Sequence, residues 1–220
     1  MTSVDWLLLA KGPLFNIALI VFVVGITVRI VEILSLGQRR DWSPPRANAP
    51  KLAGVRTIAT RFIPEPGILK RAPILILAGY VFHIGLLVAI FLFIPHIEIF
   101  HQVLGLRWPG LPTGIVDGLT VASLLAMLAL LAYRLTHPVL RFLSRPGDYI
   151  GWALTFLPLL TGYLAFHHPI GLSYPLLLTL HILSVELLLV AFPFTRLMHA
   201  VTTFMARWYS GVAMGRKGAL

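Results

Sequence analysis

Residues 180–199 read LHILSVELLLVAFPFTRLMH, an apolar run with a histidine at each end, His181 and His199, 18 positions apart. About 20 mostly apolar residues suffice to cross a bilayer as a helix. An earlier run, GYVFHIGLLVAIFLF at 79–93, carries His83 near its middle. Imidazole is costly to place in hydrocarbon unless bonded to something, so ionisable residues inside membrane spans are functional candidates.

Composition sets the class. The 220-residue chain is 58% hydrophobic and 12% charged, with a mean hydropathy of +0.87. A soluble domain is about 45–50% apolar and about 25% charged, so the surplus of apolar surface must face lipid. There is no cysteine. That excludes a thiolate-held iron–sulfur cluster, a covalently attached c-type haem and a disulfide. Any redox centre of this chain must be held by histidine or without covalent attachment.

Five segments of spanning length are predicted, over 13–35, 72–95, 113–134, 148–168 and 175–198. The fold expected is an all-α integral membrane bundle of five helices forming one domain. The first segment is too long for a signal-peptide core and lacks a clear cleavage site, so it reads as a retained helix. Net charge is +10, and fifteen of the eighteen Lys and Arg residues fall on one side. They lie in the connection 36–71, in the third connection (Arg134, Arg141, Arg145), and at Arg196, Arg207, Arg216 and Lys217. The positive-inside rule then predicts an outside amino terminus and a cytoplasmic carboxyl terminus in a multi-pass cytoplasmic membrane protein. There is no soluble basic face of the kind nucleic-acid binding needs. The proline-rich connection 36–71 contains DWSPPRANAP and RFIPEPG, which argue against a long helix. It is a candidate dock for a soluble partner or for anionic headgroups.

Helix geometry links the histidines. On a continuous helix, residues 18 apart complete five turns, share one face and stand about 27 Å apart along the axis. His181 then lies toward the outer leaflet and His199 at the cytoplasmic edge. The second segment runs the opposite way, which makes His83 the natural mate of His199. One neutral imidazole nitrogen from each of two helices gives six-coordinate iron suited to electron transfer. The spacing therefore points to axial ligands of b-type haems.

FHIGLL at 82–87, LH at 180–181 and FPFTRLMH at 192–199 together resemble the gamma subunit of respiratory nitrate reductase. That superfamily includes the membrane cytochromes of heterodisulfide-reductase-type and Dsr-type complexes. The resemblance implies a five-helix, dihaem cytochrome b that anchors a soluble iron–sulfur partner on the cytoplasmic side. It implies electron exchange with quinone near the outer haem. It also implies that His83 and His199 hold the haem nearer the cytoplasm, that His181 holds the outer one, and that Arg196 meets a haem propionate. The family's fourth ligand falls at Phe93, which cannot bind iron. His96 is the preferred substitute, about 20 Å beyond His83 on a straight helix. His101, His167 or His168, or a single-haem protein, stay open. Glu186, within the fifth segment, is either a proton relay or a protonated carboxyl bonded to a neighbouring helix. Arg29 and Glu32, three residues apart, are expected to pair on one helix face. A small proton-conducting or transporter component without haem is the alternative reading.

Overall fold

A computed structural model describes residues 2–37, 42, 44–46, 50–168 and 171–219. Arg39 and Arg40 of the basic connection lie outside the described residues. The chain is all-helical, with no strand among the described residues. The elements are α1 (Ser3–Leu9), a π turn (Ala10–Leu14), α2 (Phe15–Ser35), α3 (Pro50–Thr60), α4 (Pro66–Arg71), α5 (Pro73–Phe91) and α6 (Ile94–Leu104). They continue with α7 (Thr113–Thr136), α8 (Pro138–Leu143), α9 (Pro146–His167) and α10 (Tyr174–Ala191). Two 3-10 turns (Phe192–Phe194, Arg196–Met198) lead into α11 (His199–Arg216).

Five stretches are long and apolar enough to cross a membrane: Ser3–Ser35, Pro73–Phe91, Thr113–Thr136, Pro146–His167 and Tyr174–Phe194. The first begins ten residues earlier than the sequence predicts. Thr2 and Asp5 form a reciprocal cap, Thr2 N–H to Asp5 Oδ2 at 2.7 Å and Asp5 N–H to Thr2 Oγ1 at 3.3 Å. Pro13 does not end the helix, because the π turn around it absorbs the missing amide hydrogen bond.

The second and fifth spans end before the positions the sequence predicts, and both breaks sit at prolines. Pro95 has no amide proton, and its ring would clash with the carbonyl of Phe91 in a continuous helix. The chain turns at Leu92–Phe93 and restarts as α6. Three carbonyls at the end of α5 are recaptured. Trp108 Nε1 donates to Phe91 O at 2.6 Å, Leu111 N–H to Leu92 O at 2.9 Å, and the His96 ring to Ala89 O at 2.6 Å. Pro193 breaks the fifth span in the same way. Arg29 Nε donates to its carbonyl at 3.1 Å, while Arg29 also pairs with Glu32 at 2.9 Å as expected. His181 and His199 therefore do not share one straight helix. The face and 27 Å rise expected for them do not apply.

The spans pack in the order α5–α7–α9–α10–α2. Ser123, fully buried on α7, approaches α5, its hydroxyl 3.4 Å from Val81 O. A Cβ on Gly85 would lie 2.0 Å from Ser123 Oγ and 2.6 Å from Leu119 O. Beyond the basic ends of the spans, α3 runs antiparallel to α11, with Gly54 against Trp208 and Gly211 against Thr57. The long first connection is thus two short helices. Gly85→Ala should destabilise the α5–α7 contact by about 1–3 kcal/mol, the usual cost of overpacking. Gly79→Ala, inside α5 where a Cβ meets nothing within 4 Å, should not lower stability and gains up to about 1 kcal/mol of helix propensity. Thermal unfolding of the two variants in detergent compares them directly.

Candidate functional site

The two helix breaks bring four histidines together in two pairs. His83, mid-way along α5, faces His199 at the start of α11, with ring centroids 6.1 Å apart and planes at 84°. His96, near the start of α6, faces His181 on α10 at 6.0 Å and 19°. Neither pair stacks in contact at that distance. α5 and α10 share no extensive packing, and imidazoles from the two sides face one another between them. The α5 backbone rises about 9 Å from His83 to Ala89, whose carbonyl holds His96. The pairs therefore sit at different levels of the bundle.

The hydrogen bonds of the rings have one feature in common. His83 Nδ1 is 2.7 Å from Gly79 O, His96 Nδ1 is 2.6 Å from Ala89 O, and His199 Nδ1 is 2.8 Å from Arg196 O. A carbonyl only accepts, so each Nδ1 carries the proton, and in the neutral ring Nε2 keeps its lone pair. His181 Nδ1 lies 3.3 Å from Thr161 Oγ1. Thr161 spends its own proton on Leu157 O at 2.7 Å and so can accept from His181. His83, His96 and His199 are thus held in the tautomer that leaves the Nε2 lone pair available, and the Thr161 contact allows the same tautomer at His181. Burial pushes the His96 imidazole below its ordinary pKa, with the Ala89 bond opposing, so the ring is neutral at neutral pH. Gly162 leaves room for the His181 ring, since a Cβ there would be 3.0 Å from Cε1.

The other candidates lie elsewhere. His101 is exposed toward the end of α6. His167 bonds Asp117 at 2.6 Å. His168, with φ of 50°, packs on Tyr174 at 5.0 Å. No group of three or more His, Cys, Asp or Glu side chains that could hold a metal ion occurs among the described residues. Each pair offers two nitrogens and no third His, Cys, Asp or Glu ligand among the described residues.

Arg196 has a partner that sequence reasoning missed. Its Nη1 pairs with Asp148 on α9, which also lies 3.8 Å from Arg134 Nη1 on α7. Asp148 has a side chain only 10% exposed and caps its own helix through Arg145 N–H at 2.8 Å. One carboxylate thus ties α7, α9 and the turn whose Arg196 carbonyl orients His199. A run of apolar residues gives no signal for that contact, because it joins positions 48 apart. Glu186 is 6% exposed, and its Oε1 has no hydrogen-bond partner among the described residues.

The fold defines a class, an all-helical protein with five helices long and apolar enough to be membrane spans. The chain belongs to the same family as a protein of Nitratidesulfovibrio vulgaris (strain Hildenborough), with which it is 31% identical over 217 residues, 94% of either chain. No family model matches the chain, and no solved structure does.

Asp148→Asn keeps the shape of the side chain and removes its charge. It should lower stability by about 1–2 kcal/mol, the lower part of the range for charge-assisted bonds because both arginines are partly exposed. Thermal unfolding with and without high salt measures this. The wild-type advantage should shrink as salt screens the pairs.

Proposed function

We propose that this protein is a dihaem membrane cytochrome b that passes electrons between the quinone pool and a soluble iron–sulfur partner. The observation that carries this reading is the pair of facing imidazole couples, 6.0 and 6.1 Å between centroids, each with Nδ1 occupied and Nε2 free. Two metal–imidazole bonds of about 2.0–2.1 Å, together with two ring radii, span a little over 6 Å. Two imidazoles with no further His, Cys, Asp or Glu ligand beside them among the described residues would suit a metal that brings its own macrocycle, as haem does.

In this reading His83 and His199 hold one haem, and His96 and His181 the other. Bound haem would supply one-electron carriage. The protein's own part is orientation and burial. Gly79, Ala89 and Arg196 carbonyls and the Thr161 hydroxyl fix the rings, and the second-shell bonds raise their basicity. Arg196 is held by Asp148, so its reach toward a propionate depends on sharing that ion pair.

The resemblance to nitrate reductase gamma subunits and related sulfur-metabolism cytochromes supports the same reading. The basic residues gathered at one end of the bundle support an outside amino terminus, a cytoplasmic carboxyl terminus and a place in the cytoplasmic membrane. The α3 and α11 region then docks the soluble partner, and quinone binds near the His96–His181 haem. The second reading, a haem-free proton-conducting component, is favoured by Glu186, a carboxyl with a buried oxygen that has no hydrogen-bond partner among the described residues.

Purified protein should be red, with a Soret band that shifts on dithionite reduction and two haems per chain by pyridine haemochrome. His96→Ala and His181→Ala should each lose the same haem, and His83→Ala and His199→Ala the other. A folded but colourless preparation would sink the cytochrome reading and leave the Glu186 one.

A further inference from the structure

We propose that the α3–α11 pair carries a binding site for the phosphate of an anionic phospholipid. A groove of about 520 Å³ lies between the two helices, lined by Thr57, Arg61, Thr203, Ala206, Arg207 and Ser210. It holds two guanidiniums and no carboxylate. Neither arginine forms an ion pair among the described residues. Two cations lining one groove repel each other unless an anion lies between them.

Arg207 carries the clearest sign of a missing counterpart. Its Nη1 is buried and has no hydrogen-bond partner among the described residues. A buried guanidinium N–H left unpaired costs more than a neutral one, so it marks a place where a ligand belongs. The Phe62 ring, 4.5 Å from Arg207 Cζ, holds the guanidinium by a cation–π contact. Thr57 spends its proton on Ala53 O at 2.8 Å and Ser210 on Arg207 O at 3.1 Å. The guanidiniums are thus the main donors, which suits a phosphate.

The surroundings select a lipid over a free anion. Phe62, Ile63 and Phe204 are 48%, 77% and 47% exposed. Phe62 and Phe204 lie 6.1 Å apart, next to the groove. Tyr80, on the span α5, bonds the Phe62 carbonyl, so this apolar ridge runs beside a membrane-spanning helix. A diacyl phosphate offers charge to the arginines and hydrocarbon to the ridge together. Inorganic phosphate offers only the first. Basic pockets at the ends of spanning helices bind anionic headgroups by this combination. The site does not depend on the haem reading.

The test uses the full chain in detergent, titrated with phosphatidylglycerol and followed by native mass spectrometry and thermal midpoint. Phosphatidylglycerol should bind and raise the midpoint, whereas phosphatidylcholine and inorganic phosphate should do neither. In Arg61→Gln/Arg207→Gln, binding should weaken about thirtyfold, roughly fivefold for each charge removed near the surface. Arg61→Lys/Arg207→Lys should keep most of it. Equal protection by inorganic phosphate would make this a free-anion site, and equal protection by phosphatidylcholine would remove the charge selectivity. Either overturns the proposal, as does a folded Gln variant that binds like wild type. The lipid comparison on wild-type protein stands even if the variants do not fold.

Discussion

Every backbone amide and carbonyl buried in hydrocarbon must find its partner within the protein, and in this chain that constraint falls hardest at two prolines. Pro95 and Pro193 each interrupt a helix where lipid or packed side chains surround it. The released carbonyls cannot be left bare, and the fold is organised around their capture. Trp108, Leu111 and the His96 ring close the end of α5. Arg29, reaching from α2, takes the carbonyl of Pro193 itself. Gly25 makes the second arrangement possible, since a Cβ there would be 2.6 Å from the Pro193 ring.

The same breaks build the histidine pairs. An unbroken second helix would carry His96 about 20 Å along the axis from His83, well away from His181. Turning at Leu92–Phe93 folds α6 back, so that His96 can reach Ala89 and face His181. The turns after Pro193 likewise start α11 at His199, with its ring bonded to Arg196 and facing His83. Asp148 then secures this second turn to α9 and α7 through Arg196 and Arg134. Backbone satisfaction and the placement of the four imidazoles are thus met by one set of contacts.

Much of this was legible in the residues. Long apolar runs separated by charge and proline mark the spans, because hydrocarbon thickness dictates their length. His96, and not His101, lies opposite His181, although the straight-helix reasoning about His96 does not describe the chain. The first span starts at Ser3 and not at residue 13, because a π turn carries the helix through Pro13. The Asp148–Arg196 contact was missed because it depends on how α9 meets a turn nearly fifty residues away.

Taken alone, the sequence determined the class: a chain this apolar carries five segments long enough to span a bilayer, and without cysteine it offers no thiolate to a metal. Periodicity and length are local properties, and they are written residue by residue. The partners of those histidines were decided by the tertiary structure. Which imidazole faces which depends on where two proline breaks redirect the backbone and on which distant N–H groups donate to the carbonyls released there. The ring tautomers follow from nearer bonds, to carbonyls four, seven and three residues away for His83, His96 and His199.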